Sequence, residues 1–249
     1  MSRRTRAPLL VLLLFVCVPA AAAKPWHPDV SAARHYAQGR AGEIGFAVID
    51  QRGRFRGYRV RETAPMASTF KVMLLVALLR KRNHHPLRRR DRRLLAPMIR
   101  RSDNYAATTV RYMVGARRLR RLARAAGMRD FSLSPIWGLS RSSPRDQVRF
   151  MYHLWRYVPG RHRAYARWLL SHVVRSQRWG VGRVVPHRWK LFLKGGWGSG
   201  SGAVDHQVAL LKRRHRRVAL AIFTESSPSH GYGKRTLRGV ARRLLRGLG

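Results

Sequence analysis

The chain has 249 residues, of which 45% are hydrophobic, and its 53 lysines and arginines outnumber 10 acidic residues to give a formal net charge of +43. This length and apolar content exclude a disordered chain and fit one large domain with a substantial core. The basic residues are spread over nearly every segment instead of forming one stripe interleaved with exposed aromatics, so nucleic acid is a disfavoured partner. We expect an arginine-rich surface that is attracted to an anionic envelope polymer or membrane surface.

The first 23 residues have the pattern of a secretory signal peptide. Three arginines precede an apolar run at 7–18, and four alanines follow at 20–23. The run is too short to span a bilayer comfortably and no other uncharged stretch is long enough, so we expect a secreted or periplasmic protein whose mature chain has no transmembrane helix. Cys17, the only cysteine, is lost with the leader, which excludes disulfides, thiol catalysis and cysteine-based metal sites from the mature chain.

The mature chain begins with elements typical of an antiparallel sheet. Residues 24–38 predict a linker and a first helix, and 44–50 form an apolar run typical of a buried strand. Residues 55–60 alternate large apolar side chains with arginine and glycine, as expected for a hairpin partner with one solvent-exposed face. The stretch 68–79 is apolar on all sides and too long for a strand, which predicts a fully buried helix.

The centre of the chain predicts helices separated by one long loop. Residues 128–143 lose periodicity and carry a proline and a glycine, which predicts a loop. Pro144 directly after this segment stands at a position typical of a helix start. The predicted central helices cover 91–101, 105–113, 116–126, 144–157 and 162–174.

The C-terminal part of the chain returns to strands. Apolar runs at 189–193, 204–211 and 218–224, bounded by glycine-rich or arginine-rich turns, predict three more strands. Residues 237–248 place apolar side chains at helical spacing with arginines opposite, which predicts an amphipathic helix that packs on the sheet.

This order of elements predicts an α/β (α+β) fold. We expect a five-stranded antiparallel sheet lobe at about 24–67 and 187–249, built from both chain ends, with an all-helical lobe at about 68–186 inserted between them. A single mature domain and a monomer are expected.

Ser68 and Lys71 provide a nucleophile and a base one helical turn apart. A three-residue step on a helix places both side chains on one face, within reach of each other. A serine hydroxyl is a weak nucleophile until its proton is removed, and lysine accepts that proton only as the neutral amine. Burial, the positive end of a helix and a second cation such as Lys194 all favour the neutral amine. The pair alone is a weak signal, because composition gives about one such pair by chance in a chain of this size.

Two further motifs follow in chain order. Ser102-Asp103-Asn104, and then Lys194-Gly195-Gly196 on a predicted strand, complete the order in which three motifs occur in class A β-lactamases and penicillin-binding proteins. The chain therefore resembles a class A β-lactamase-like serine hydrolase of the penicillin-recognising superfamily. The resemblance covers nearly the whole mature chain, including the Ser143-Pro144 helix start and the strand that contains Asp205.

The resemblance implies a role for each motif residue. By this resemblance Ser68 is the nucleophile, Lys71 the base and Ser102 the proton shuttle. Asn104 binds the substrate amide, and Lys194 provides positive charge beside the site. It also implies an oxyanion hole made by the backbone N–H groups of Ser68 and Trp197, with Gly195 and Trp197 beside the substrate. No cofactor and no metal are implied, and the adjacent His84 and His85 have no third ligand placed to complete a metal site.

Two departures from the family pattern bear on turnover and on substrate. Class A enzymes carry a glutamate in the loop before the helix at Pro144, where it activates the deacylating water, but the only acid in 128–143 is Asp130. A missing general base costs on the order of 10² to 10⁴ in rate, so slow hydrolysis of the acyl-enzyme is expected. The family usually has a hydroxyl-bearing residue at the position of Gly195, where it helps hold the substrate carboxylate. Either Ser199 or Ser201 replaces it, or arginines do so alone, or the substrate is not a β-lactam.

Three functions are consistent with these residues. The leading hypothesis is hydrolysis of the β-lactam amide bond through a Ser68 acyl-enzyme. The second is a D-Ala-D-Ala peptidase-like protein that acts on peptidoglycan peptides. Penicillin would acylate it, and the acyl-enzyme would be hydrolysed slowly. The absent loop glutamate favours this hypothesis. The third is a non-catalytic binder of an anionic envelope polymer, against which the intact serine and lysine pair argues.

Overall fold

A computed structural model describes residues 26–198 and 203–249. The predicted signal peptide and the two serines considered as carboxylate ligands, Ser199 and Ser201, lie outside these residues. Within the described ranges, no helix is both long enough and apolar enough to cross a membrane.

Five strands form the main sheet, and every neighbouring pair is antiparallel. These strands are β1 (Glu43–Ile49), β2 (Phe55–Tyr58), β5 (Lys190–Gly198), β6 (Val204–Arg213) and β7 (Arg216–Glu225). Their order in the sheet is β2-β1-β7-β6-β5. Two strands come from the N-terminal part of the chain and three from the C-terminal part. The predicted five-stranded antiparallel sheet built from both chain ends is therefore confirmed.

Helices cover both faces of this sheet. They are α1 (Val30–Gln38), α2 (Lys71–Lys81), α3 (Arg89–Arg100), α4 (Asn104–Ala125), α5 (Pro144–Tyr152), α6 (Leu154–Tyr157), α7 (Arg163–Ser171) and α8 (His230–Leu244). In β1, Ala47 and Ile49 belong to the core shared with α2, whereas Phe46 and Val48 belong to the core shared with α1 and α8. Because both faces of the sheet are covered, β1 is buried at every position from 44 to 49 and does not alternate apolar and polar residues there.

Several helix boundaries differ from the prediction. The two helices predicted at 105–113 and 116–126 are parts of one kinked helix, α4, in which Gly115 has non-helical backbone angles. The helix predicted at 144–157 breaks at His153 into α5 and α6. Helix α8 begins at His230, seven residues before the apolar pattern starts at Leu237, because the Ser229 hydroxyl caps it by accepting from the Tyr232 N–H at 3.1 Å.

A second, two-stranded sheet ties the predicted loop 128–143 to the segment just before Ser68. It pairs β3 (Ala64–Pro65) with β4 (Arg141–Ser142). Next to this pair, the Met66 N–H donates to the Ser140 carbonyl at 2.7 Å. Sequence analysis predicted neither strand, because two residues are too few to show an alternating pattern. The small sheet fixes the loop beside the turn that carries Ser68.

Candidate active site

Ser68 lies in a single 3-10 turn, Ala67–Phe70, that leads into α2. The α-helix therefore begins at Lys71, not at Ser68 as predicted. Ala67 has a φ of +45°, a left-handed conformation that costs free energy in a residue other than glycine. Thr69 holds the turn, because its N–H and its Oγ1 both donate to the Met66 carbonyl, at 3.1 and 2.6 Å. The backbone thus positions Ser68 at the start of a helix that is otherwise buried.

Lys71 is buried and contacts both serines of the motifs. Its Nζ lies 2.8 Å from Ser68 Oγ, 3.2 Å from Ser102 Oγ and 2.5 Å from the Ser102 carbonyl oxygen. It also donates to Asn104 Oδ1 at 2.7 Å. The structure thus brings together the four residues for which the family resemblance implies the roles of nucleophile, base, proton shuttle and amide binder.

Ser102 bridges two lysines. Its Oγ accepts from Lys194 Nζ at 2.9 Å, and Lys194 Nζ also donates to the carbonyl of Gly195 at 2.7 Å. Ser102 itself has a φ of +63°, so the motif backbone is held in a left-handed conformation beside the site. The chain of contacts runs from Ser68 Oγ through Lys71 Nζ and Ser102 Oγ to Lys194 Nζ, which provides a path for protons.

Burial makes both lysines weaker bases than surface lysines. It lowers the pKa of Lys71 from 10.5 to about 7, while the charge of Asp103 acts in the opposite direction. Lys194 is fully buried, and both its burial and the charge of Lys71 lower its pKa well below the usual value. Of the three influences predicted for Lys71, burial dominates. A large fraction of Lys71 is therefore a neutral amine near pH 7, which is the form that a base for a serine hydroxyl requires.

Strand β5 passes directly over the Ser68 turn. A Cβ atom at Gly196 would lie 2.8 Å from the backbone nitrogens of both Ser68 and Thr69, which is too close for any side chain. Trp197 follows Gly196 on the same strand and is 37% exposed. This arrangement places the backbone of 196–197 opposite the Ser68 N–H, where the predicted oxyanion hole needs its second donor. The donation from the Trp197 N–H stays a prediction.

The glycine at 195 has a steric cause. A Cβ atom there would lie 2.8 Å from the Trp179 ring, which is buried beside β5. The ring of Trp179 also packs edge-on against Trp197, with ring centroids 6.1 Å apart. The indole therefore occupies the space that a hydroxyl-bearing side chain at 195 would need.

An acid–imidazole pair lies at the same end of the site. His230 Nδ1 and Asp205 Oδ1 are 2.5 Å apart, and the His230 ring stacks on Trp197 with centroids 5.7 Å apart. Burial raises the pKa of Asp205 to about 6, against the opposing effect of His230. Sequence analysis placed Asp205 on its strand but missed His230, which lies 25 residues further along the chain in a segment without periodicity.

The loop 128–143 brings an aromatic ring to the base. The Trp137 ring centroid lies 4.8 Å from Lys71 Nζ, and its indole N–H donates to Thr108 Oγ1 at 3.0 Å. Sequence analysis did not predict this contact. Its contact with Lys71 makes it the part of this loop that faces the Lys71 amine.

The nearby acids are engaged elsewhere. Asp130, the only acid of the loop, accepts from Ser143 Oγ at 2.6 Å and pairs with Arg145 at 2.8 Å. Glu62, upstream of Ser68, forms an ion pair with Arg59. In the described part of the chain, no group of three His, Cys, Asp or Glu side chains is arranged to hold a metal ion.

The fold and the clustered Ser68, Lys71, Ser102 and Lys194 define a serine hydrolase of the class A β-lactamase type. The chain belongs to the Beta-lactamase enzyme family, whose pattern matches residues 82–248. The match contains Ser102 and Lys194 but begins after Ser68. No curated protein matches the sequence of this chain.

Solved structures of β-lactamases share this fold at low sequence identity. The β-lactamase from Sphaerobacter thermophilus is 21% identical, with a TM-score of 0.76 over 88% of this chain and 96% of that one. A class A β-lactamase from Mycobacterium abscessus is 20% identical, with a TM-score of 0.75 over 89% and 99% of the two chains. A β-lactamase from Chitinophaga pinensis is 14% identical, with a TM-score of 0.76 over 88% and 98%. These similarities confirm the α+β fold of the class A enzymes.

Proposed function

We propose that this protein is an exported serine hydrolase that opens the amide bond of a β-lactam through an acyl-enzyme on Ser68. The observation that carries the proposal is the 2.8 Å contact between Ser68 Oγ and a lysine amine whose pKa burial lowers to about 7. Export is supported by the leader-like pattern of the first 23 residues.

Acylation follows from the contacts of the two lysines. The neutral Lys71 amine removes the proton from Ser68 Oγ, and the oxygen attacks the amide carbonyl carbon. Backbone N–H donors of Ser68 and Trp197 stabilise the oxyanion of the tetrahedral intermediate. The C–N bond then breaks, and the departing nitrogen takes a proton from Ser102 Oγ, which regains one from Lys71 or Lys194. The product is an ester between Ser68 and the opened substrate.

Deacylation requires a base that activates water. Asp130 and Glu62 are engaged in ion pairs, and Asp103 caps α4 by accepting from the Ala106 N–H at 2.7 Å. Lys71, which contacts Ser68 Oγ directly, is therefore the group that accepts the water proton in this proposal. Attack of water on the ester carbonyl then releases Ser68 and the opened acid. We expect this step to be slower than acylation, because one amine has to serve both halves of the reaction.

A second candidate function is that of a D-Ala-D-Ala peptidase-like protein, which penicillin acylates and whose acyl-enzyme is hydrolysed slowly. The observation that favours it is the Trp137 ring over Lys71, in the loop where class A enzymes carry their glutamate. An indole cannot accept a proton from water. Its bulk beside Lys71 also limits the space for a water molecule. The two candidates share the acylation step and differ in the lifetime of the ester.

Intact mass over time after mixing mature protein with benzylpenicillin tests the proposal, with Ser68→Ala as control. We expect an adduct with the mass of one penicillin on the wild-type chain and none on Ser68→Ala. An adduct that disappears supports hydrolysis, whereas one that persists supports the second candidate. If both proteins stay unmodified, acylation of Ser68 by β-lactams is wrong.

Trp137→Ala is expected to speed adduct loss about tenfold while adduct formation changes less than about twofold, because removing the indole admits water beside Lys71. Time-resolved intact mass separates the two rates. Ile136→Ala is the matched control, since Ile136 is the exposed neighbour in the same loop. Equal rates of adduct loss in wild type and Trp137→Ala would show that the ring does not limit deacylation.

A further inference from the structure

A cavity of about 380 Å³ opens between the start of α8 and the turns at 175–183. Five basic side chains line it, with Trp179 as its aromatic wall and no acidic residue among its lining residues. The five basic residues are Arg175, Arg183, Lys234, Arg235 and Arg238.

The cations of this cavity form no ion pair within the part of the chain that the structure describes. Other arginines in the described chain, such as Arg54, Arg82 and Arg145, form ion pairs with acidic residues. No ion pair there includes any of the five cavity residues. Nor does any of the five donate a side-chain hydrogen bond within the described ranges. Like charges gathered around one space repel one another, and a bound anion relieves that repulsion.

The backbone adds to the attraction for an anion. Gly231, in the first turn of the 15-residue helix α8, lines the cavity. The positive end of the helix dipole therefore points toward the same space as the five cations. The Asp205 carboxyl feels the charge of Lys234, but it is buried and paired with His230.

The cavity shares a wall with the active site. Trp179 lines the cavity, and the same ring occupies the space beside Gly195 on β5 and packs against Trp197. A group held in the cavity is therefore separated from the substrate strand by one indole ring.

We propose that this cavity is a binding site for a phosphate-type anion next to the catalytic cleft. The phosphate is carried either by an anionic polymer that the enzyme docks on or by the acyl substrate itself. The location gives the +43 chain one defined place where an anionic partner meets the active site. The proposal that the cavity is a subsite of the catalytic cleft rests on the proposed function. The proposal that it binds an anion does not.

A matched cavity on the same protein allows a sharp test. About 310 Å³ in volume, it lies between α2 and α4 and is lined by Arg80, Lys81, Arg118 and Arg121. It has four basic lining residues instead of five and no aromatic wall, and it lies toward the C-terminal ends of both helices, where the helix dipole disfavours anions. Removing three charges from each cavity changes the net charge of the protein equally.

Binding of inorganic phosphate and of short-chain polyphosphate is measured by calorimetry at constant ionic strength. We expect Arg175→Ala, Arg183→Ala and Arg238→Ala together to weaken binding at least about tenfold, and Arg80→Ala, Arg118→Ala and Arg121→Ala together less than about twofold. The double variant Lys234→Gln with Arg235→Gln provides an independent test if the triple variant melts early. Equal losses in both cavities would overturn the proposal, because net charge alone would then explain binding.

The penicillin adduct assay on wild-type protein separates this proposal from the proposed function. Absence of an adduct contradicts the proposed function but does not affect the phosphate affinity measured by calorimetry. Where the adduct forms, slower acylation at saturating phosphate shows that the cavity overlaps the substrate site, as a phosphate on the natural substrate requires. Unchanged acylation indicates a separate polymer. Both results support the site, provided that the cavity variants lose binding as expected.

Discussion

Lys71→Met is expected to lower the rate of Ser68 acylation by about 10³-fold, because it removes the base proposed to take the serine proton. Methionine has nearly the length of lysine and fills the same buried space without a basic nitrogen. Stopped-flow or intact-mass measurement of adduct formation with benzylpenicillin gives the rate. Lys81→Met is the matched control, since Lys81 lies at the end of the same helix and donates to the Met113 carbonyl, away from Ser68.

The wild-type pH profile tests the same role without a mutation. Lys71 acts as a base only when neutral, and its pKa of about 7 means that the neutral fraction falls about tenfold for each pH unit below 7. Acylation should therefore rise with pH up to about 7 and then level off. Lys71→Met should lose this dependence and retain a slow, flat rate. A wild-type rate that stays constant from pH 5 to 8 would contradict the assignment of Lys71 as base, as would a normal rate in Lys71→Met.

The contacts predicted from sequence are those set by local geometry or by the order of motifs. Ser68 and Lys71 lie three residues apart, so the helix start alone brings their side chains together, as the 2.8 Å contact shows. The contacts of Ser102 and Lys194 depended on the family resemblance, because 92 residues separate Ser102 from Lys194. The sheet was predictable because its strands are long apolar runs with clear turns.

The features that sequence missed depend on long-range packing without a repeating pattern. Trp137 reaches Lys71 because two-residue strands, β3 and β4, fix its loop, and such short strands leave no periodic signal. His230 pairs with Asp205 because α8 begins earlier than its apolar stripe, so that its first turn lies against β6. The steric cause of Gly195 is a tryptophan 16 positions earlier, which only the folded chain reveals.

Gly196→Ala is expected to lower the acylation rate by about 10² to 10³, through displacement of the oxyanion donors. The added Cβ atom would lie 2.8 Å from the nitrogens of Ser68 and Thr69 and 3.0 Å from the Met66 carbonyl oxygen. All three contacts are with backbone, so no side-chain rotation relieves them. Strand β5 or the Ser68 turn has to move, and either shift changes the distance between Ser68 and the Trp197 N–H.

The acylation rate and the melting temperature of Gly196→Ala should be measured together, because overpacking also costs roughly 1–3 kcal/mol of stability. Gly138→Ala is the matched control, since a Cβ atom there meets no atom within 4 Å although the residue lies in the loop beside the site. A folded Gly196→Ala protein that acylates slowly but keeps the wild-type pH profile separates a lost oxyanion donor from a displaced Lys71. Wild-type acylation in that variant would mean that the close approach of β5 to the Ser68 turn contributes nothing to the transition state.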